Sequence, residues 1–572
     1  MNLQSELARR IARAIASALP ETADAAPLVA PAQDERFGDY QANFAMGLAK
    51  RLKKNPRDIA EAVVANIVLE PVLASAEVAG PGFINLGLRD DFVAERISGL
   101  TTDNRLGVPV PERPKTVVVD FSSPNTCKPM HVGHIRSTVI GDAICRLLRF
   151  LGHTVVADNH LGDWGTQFGL LIAGFRTFGC DVPESGDPLD RLVEIYKRAN
   201  AAAEADEAFR DQARAELAKL QAGDQENLAR WREYTRWSLV HFNRIYERLG
   251  VRFDEVLGES RYNDMLPSVV AELEKAGLAR ESEGALCIFW PDDDPPPMVI
   301  RKSDGAFLYA TTDLATVKYR RERWGPDEMV YVTDGRQQLH FRQLFSAARR
   351  WGVAEGIDLR HVWFGTILGL DGTPLKTRSG DLVPLEGLLD EAERRAMAVV
   401  RQKNPDLPNG EMAEIARVVG IGAIKYADLS QNRQSDVVFD WDKMLAMQGN
   451  TAPYLQYAYA RIRSIFRKGE TVGAGAAGDA SISLRHPAER ALAVKLLRFP
   501  EVLASAEDDF RLNLVTGYLY ELSTVFTGFY ESCPVLKSEP AVRAGRLALC
   551  GLTARTLRTG LDLLGIQVVD RM

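Results

Sequence analysis

A short β-branched run, Thr116-Val117-Val118-Val119-Asp120-Phe121, stands directly before a turn-forming stretch, SSPNTCKPMHVGH, and a helix-periodic one. This succession constrains the fold more than any other part of the chain. The run fits a strand buried on both faces of a parallel sheet. After the turn, Val132, Ile135, Val139, Ile140, Ala143, Ile144, Leu147, Leu148 and Leu151 keep helical spacing up to Gly152, a residue suited to a helix C-terminus. Thr154-Val155-Val156-Ala157 then reads as a second strand and completes a βαβ unit. Such units wind into open sheets whose ligands bind beyond the carboxyl ends of the strands. His131 and His134 fall at that edge, at the start of the predicted helix. Unpaired N–H groups and positive potential there favour an anion, and Gly133 lets a flat ligand approach the backbone. Phosphate is the guest this arrangement suits.

Neither GxGxxG nor GxxxxGK[ST] occurs at this turn, so the phosphate scheme is not that of a dinucleotide fold or a P-loop. A zinc site needs three or four ligands. The chain has no CxxC and no second HxxH, and the other six histidines are scattered. Half of a metal site and a pair of surface histidines are the plainer alternatives.

HVGH resembles the HIGH signature of class I aminoacyl-tRNA synthetases, and the longer SPNxxKPxHVGHxRS resembles the version found in arginyl-tRNA synthetases. Further stretches resemble the same family in the same order: NHLGDWGTQFG at 159–169, YATTD at 309–313, VTDGRQQLHFRQ at 332–343, KTRSG at 376–380, IKYADLSQNR at 424–433 and GNTAPYLQYAYAR at 449–461. The similarity runs from FGDYQANFAM at 37–46 to the terminal LGIQVVDRM.

With 572 residues, 46% hydrophobic and 26% charged, the chain has the make-up of a soluble protein of three or four domains. Residues 1–110 read as an α+β domain, with an opening helix, a second around 56–69 and a strand-like EVAGPGFINLGL at 77–88. Pro109, Pro111 and Pro114 mark a linker. Residues 111–385 read as an α/β, Rossmann-like catalytic domain with a helical, charge-rich insertion at about 176–299. Its sheet is expected to resume in AFLYATTDLA, EMVYVTDG and HVWFGTIL. Residues 386–449 read as a connecting helical region and 450–572 as an all-α bundle. On the resemblance, the first domain binds the tRNA elbow and the last binds the anticodon.

A net charge of −7 gives no global attraction for nucleic acid, so RNA contacts must come from local clusters such as KRLKKNPR, KYRRER and RIRSIFRK, each of which also reads as a solvated helix face. Six cysteines without disulfide spacing fit a reducing compartment. The N-terminus lacks the apolar core and cleavage site of a signal peptide, which points to the cytoplasm; Glu6 weighs against the rival reading of an amphipathic targeting helix. A monomer without a permanent metal or organic cofactor is expected.

A guanidinium is matched by carboxylates. The resemblance implies that Asp120, Asp313, Tyr309 and Gln337 hold the arginine side chain, with Ser123 and Asn125 on its amino group and side chain. Without it, Asp313 also reads as a helix N-cap, and Ser123 and Asn125 as turn formers. The resemblance further implies that His131, Gly133 and His134 face ATP, supplied with Mg²⁺, and that Phe37, Tyr40, Asn43, Tyr459 and Arg461 contact arginine tRNA. It also implies that activation requires bound tRNA. One position departs from the family. The second lysine of its KMSKS loop is replaced by Thr377, between Lys376 and Arg378, and Lys128, three residues before His131, is the candidate cation in its place. A synthetase for another amino acid and a non-catalytic RNA-binding paralogue are the rival readings; retention of both histidines and both acids speaks against each.

Overall fold

The computed structural model describes residues 2–179, 182, 186–291, 294–375, 383–471 and 482–572. The chain forms two compact units. One joins residues 1–110 to 447–562 and 567–572; the other comprises 111–446 with 563–566.

The first unit begins with α1 (Leu3–Ala18), whose N-cap Asn2 accepts the Ser5 N–H and whose Leu3, Leu7, Ile11, Ala14 and Ile15 are buried at helical spacing. Strands β1 (Val29–Pro31) and β2 (Tyr40–Ala42), helices α2 (Ala45–Leu52) and α3 (Pro56–Val64), strands β3 (Leu73–Ala79) and β4 (Phe83–Leu88), and α4 (Asp90–Gly99) follow. The four strands form an antiparallel sheet in the order β1-β2-β4-β3. In β4, Ile84, Leu86 and Leu88 alternate inward. The second helix is expected to reach residue 69; it ends at Val64.

The second unit opens with β5 (Thr116–Asp120), α5 (Val132–Leu151), β6 (Thr154–Leu161) and α6 (Thr166–Phe178). Gly152 ends α5 in the left-handed region, φ 109°. Helices α7 (Pro188–Ala205), α8 (Glu207–Gln221) and α9 (Gln225–Leu249) follow. The stretch expected to be a helical insertion also contains β7 (Glu255–Gly258), which pairs in parallel with β6 in the main sheet. After α10 (Leu266–Lys275), strands β8 (Ala279–Ser282), β9 (Ala285–Ile288) and β10 (Met298–Arg301) make a separate antiparallel sheet. AFLYATTDLA, read as a strand, instead supplies the start of α11 (Tyr309–Trp324). An apolar run this short does not separate strand from buried helix by periodicity. Strand β11 (Glu328–Tyr331), α12 (Gln338–Trp351), β12 (Asp358–His361) and β13 (Ile367–Leu368) continue the chain. Helices α13 (Leu385–Lys403) and α14 (Asn409–Leu429) then precede β14 (Val437–Val438), which pairs with β13, and the short α15 (Trp441–Met444).

The main sheet is wholly parallel, in the order β12-β11-β5-β6-β7. The chain leaves β5 toward β6 on one side and returns to β11 on the other, so the order reverses between β5 and β11. Ligands of such sheets sit outside that reversal.

The first unit is completed by α16 (Ala452–Thr471), α17 (Pro487–Leu497), α18 (Phe499–Asp508), α19 (Leu512–Ser532) and α20 (Pro540–Leu563), of which the last residue lies in the second unit. Within the first unit, Arg490 of α17 donates to both carboxylate oxygens of Asp39 at 2.8 Å and to Asp90 at 2.6 Å. Among the described residues no helix is long and apolar enough to cross a membrane.

Candidate active site

A cavity of about 820 Å³ opens at the carboxyl ends of β5 and β11. Asp120, Ser122, Ser123 and Asn125 line it after β5, and Val332, Thr333 and Asp334 line it after β11. Helix α5 and its N-cap contribute His131, Val132, Gly133, His134, Arg136 and Ser137, α11 contributes Tyr309 and Asp313, and Gln337 and His340 come from the start of α12. The size suits a small-molecule ligand.

The histidine end is built by a reciprocal cap. His131 Nδ1 accepts the Gly133 N–H at 3.1 Å, and His134 Nδ1 accepts the His131 N–H at 3.0 Å. The ring centroids lie 4.0 Å apart. A side chain at 133 would press on the His131 ring, at 2.9 Å from Cε1, so the cap requires glycine. With both Nδ1 atoms accepting, each neutral ring carries its proton on Nε2 and presents a donor there. Burial lowers the pKa of His134 to about 3, with the charge of His131 adding to it, and burial followed by the Lys128 charge lowers that of His131. Both rings are therefore neutral donors at physiological pH. The expectation that free helix N–H groups receive the anion is corrected here. The Val132 N–H donates to the Val383 carbonyl, Gly133 to the His131 ring and His134 to the His131 carbonyl. These three N–H groups are already engaged, and both imidazoles line the cavity.

The opposite side is acidic. Asp313 lies inside α11, whose N-cap is Leu308, so the cap reading of Asp313 is overturned. Its Oδ2 is bonded to His340 Nε2 at 2.6 Å, and the His340 ring stands edge-on to Tyr309 with centroids 5.0 Å apart. Tyr309 is 64% exposed at the cavity. Asp120 is not a free carboxylate: Arg320, fully buried, bonds Asp120 and Asp158 at 2.7 Å each, and Ser123 Oγ donates to Asp120 at 2.9 Å. Burial pushes the Asp158 carboxyl up, and the Arg320 charge pulls it back. Glu259, just after β7, lines it too, and sequence reasoning missed it. Burial pushes its carboxyl up to about 8, and the charges of Asp313 and Asp163 push the same way. Nothing in its neighbourhood, LGESRY, marks it as a site residue; only β7 joining the sheet brings it there.

Asn125 lies over Gly162, where a Cβ would meet its Oδ1 at 2.0 Å. Lys128 is exposed, with its ammonium 5.5 Å from the Tyr196 ring centroid, and does not line the cavity. Lys376, Thr377 and Arg378 lie outside the described residues. In the first unit, Phe37 is 42% exposed and Asn43 half-buried. Tyr40 is buried, its hydroxyl donating to Glu501 at 2.7 Å and its ring 5.0 Å from the Arg498 guanidinium. Tyr459 is buried as well and donates to Asp570 at 3.3 Å. These two tyrosines pack between segments of the unit. Arg461 is half-buried, 4.8 Å from the Tyr530 ring centroid.

Three families match the chain in succession: the arginyl tRNA synthetase N terminal domain over residues 5–88, the tRNA synthetases class I (R) catalytic domain over 97–441, and the DALR anticodon binding domain over 455–572. The arginine–tRNA ligase of Chromobacterium violaceum is 47% identical with all of both chains covered. That of Thermobifida fusca is 48% identical, covering 100% of this chain and 99% of its own. The crystal structure of arginyl-tRNA synthetase from Plasmodium falciparum superposes with a TM-score of 0.88 at 29% identity, covering 100% of this chain and 99% of that one. The chain belongs to the class I arginyl-tRNA synthetases, ATP-dependent enzymes that ligate L-arginine to its tRNA for protein synthesis.

Proposed function

We propose that the cavity of the second unit holds L-arginine with its guanidinium at the acidic side and ATP at the histidine side. One observation carries this reading: carboxylates of Asp120, Glu259 and Asp313 and two neutral imidazoles line the same cavity. The planar guanidinium is matched by Asp313 and Glu259, with Tyr309 and Gln337 closing over it. Asp120 contributes its field and, through Ser123, the orientation of the amino group, which Asn125 shares.

The arginine carboxylate attacks the α-phosphorus of ATP, arginyl-adenylate forms and pyrophosphate leaves. His131 and His134 donate from Nε2 to phosphate oxygens as charge shifts during that step, and Gly133 keeps the approach open. Donors held in place beforehand stabilise such a transition state without reorganising. Mg²⁺ enters with ATP as its complex. Lys128, Lys376 and Arg378 are the cations proposed to balance the pyrophosphate. The arginyl group then passes to the 2′-hydroxyl of the terminal adenosine of arginine tRNA. Residues 1–110, through Phe37 and Asn43, are proposed to meet the tRNA elbow, and residues 450–572, through Arg461, its anticodon. A cytoplasmic monomer is the proposed state.

Replacing Asp313 by Asn keeps the shape and removes the charge. A charge-assisted hydrogen bond contributes roughly 1.5–3 kcal/mol, so the arginine KM rises by about tenfold or more. An arginine KM unchanged in a folded Asp313→Asn enzyme would refute this placement.

A further inference from the structure

The loop between β5 and α5 contains three residues with side chains in the left-handed region: Ser122 at φ 72°, Ser123 at φ 47° and Cys127 at φ 65°. Such backbone is costly for an L residue and persists only where its surroundings hold it. Helix α5 holds Ser122 through Ser137 Oγ, which accepts the Ser122 N–H at 2.8 Å, and through the Thr138 hydroxyl at 2.8 Å from Ser122 Oγ; two further holders come from one other helix. The Cys127 N–H donates to Ser238 Oγ at 2.8 Å, and Ser122 Oγ shares a hydrogen bond with the Tyr246 hydroxyl at 2.8 Å. Ser238 and Tyr246 are both buried in α9, about two turns apart. The third left-handed residue is reached through the same hydroxyl. Asn159 donates to it from Nδ2 at 3.1 Å while its Oδ1 accepts the Ser123 N–H at 3.1 Å.

The same helix also props the turn after β6. Trp231 Nε1 donates to the Asp163 carbonyl at 2.8 Å, next to the Gly162 on which Asn125 rests. Yet none of the described cavity-lining residues belongs to α9. The helix braces both loops of the cavity without touching what the cavity holds.

We propose that Ser238 and Tyr246 are positioning residues, and that α9 is a splint keeping the 122–127 loop in its arginine-binding shape. Arginine affinity is then set in part by a helix that never meets the substrate. This rests on the assignment of the cavity to arginine. The opposing view is that the two hydroxyls only satisfy buried polar groups. Their removal would then lower stability without singling out arginine.

The test uses the full-length enzyme charging homologous arginine tRNA, with the KM of arginine and of ATP measured separately and folding followed by thermal melting. Tyr246→Phe and Ser238→Ala should each raise the arginine KM about fivefold, the worth of one hydrogen bond, and leave the ATP KM within about twofold. Adding Ser122→Gly to Tyr246→Phe should bring the arginine KM back toward the wild-type value, because glycine adopts the left-handed backbone without support. A merely structural hydroxyl offers no reason for that recovery. Equal rises in both KM values overturn the inference, as does a rise that glycine fails to reverse. It is also overturned if neither variant changes the arginine KM while Asp313→Asn does. If Asp313→Asn changes nothing either, the cavity assignment falls and takes this inference with it.

Discussion

Glu259 shows how burial and neighbouring charge change the behaviour of an ordinary glutamate. Its carboxyl, raised to about 8 by desolvation and by the charges of Asp313 and Asp163, is mostly protonated at pH 7 in the arginine-free pocket. A guanidinium beside it favours the ionised form, so arginine binding should expel a proton. Calorimetric titration with arginine at pH 7, in two buffers of different ionisation enthalpy, should give heats that differ accordingly. Glu259→Gln should remove the difference, and buffer-independent heats in the wild type would exclude Glu259 from the contact. The sign for stability follows from the same shift. Because the folded, arginine-free protein binds this proton more tightly than the unfolded chain, the contribution is full below the ordinary carboxylate range and is lost as pH rises toward 8. None of this was visible in the residue itself. His131, His134, Asp313 and Tyr309, named by the resemblance, line one cavity, whereas the charge state of Glu259 depends on neighbours more than fifty positions away in Asp313 and nearly a hundred in Asp163.

At the scale of elements, the βαβ unit from β5 to β6 was readable because each part is long and strongly patterned. The start of α11 and the strand β7 were not. The first is an apolar run too short to show a period, and the second is a strand of four residues, none of them fully buried. The attachment of α5 was equally hidden, since its partner lies far along the chain. Arg136, 1% exposed, is paired with Asp428 of α14 at 3.0 Å and donates to the carbonyls of Ser435 at 3.0 Å and Arg433 at 3.1 Å. The histidine-bearing end of α5 is thereby tied to α14 and the turn after it. Asp428→Asn leaves a buried guanidinium without its counter-charge, a change that costs about 3–5 kcal/mol where such pairs are broken. The expected result is a lower melting temperature together with a slower adenylate step, read as tRNA-supported pyrophosphate exchange, and a smaller change in arginine KM. An exchange rate equal to wild type would show that α5 keeps its position without the pair.

At the scale of the molecule, the first unit is assembled from both ends of the chain. A boundary at residue 110 was legible from its prolines; that residues 1–110 share a unit with the C-terminal helices was not, because no local pattern encodes a contact between Asp39 and Arg490. That contact is partly buried, Asp39 being 8% exposed, so removing one partner matters more than at a surface. Arg490→Ala should destabilise the first unit by about 2–4 kcal/mol, allowing for the partial exposure of Arg490. In a melting experiment that follows the two units separately, by hydrogen exchange, protection should fall in residues 1–110 and in α17 and stay unchanged in β5, β6 and β11. Equal loss in both units would show that Arg490 does not act locally. The arrangement has a consequence for biosynthesis. Asp39 and Arg490 are separated by 451 positions, and a ribosome adding roughly 5–20 residues per second delivers the second about 20–90 s after the first. For that interval the nascent N-terminal segment carries a carboxylate and a Tyr40 face whose partners have not yet been translated. Its closure therefore waits for the translation of α17, late in synthesis, and is not set by the first domain's own emergence.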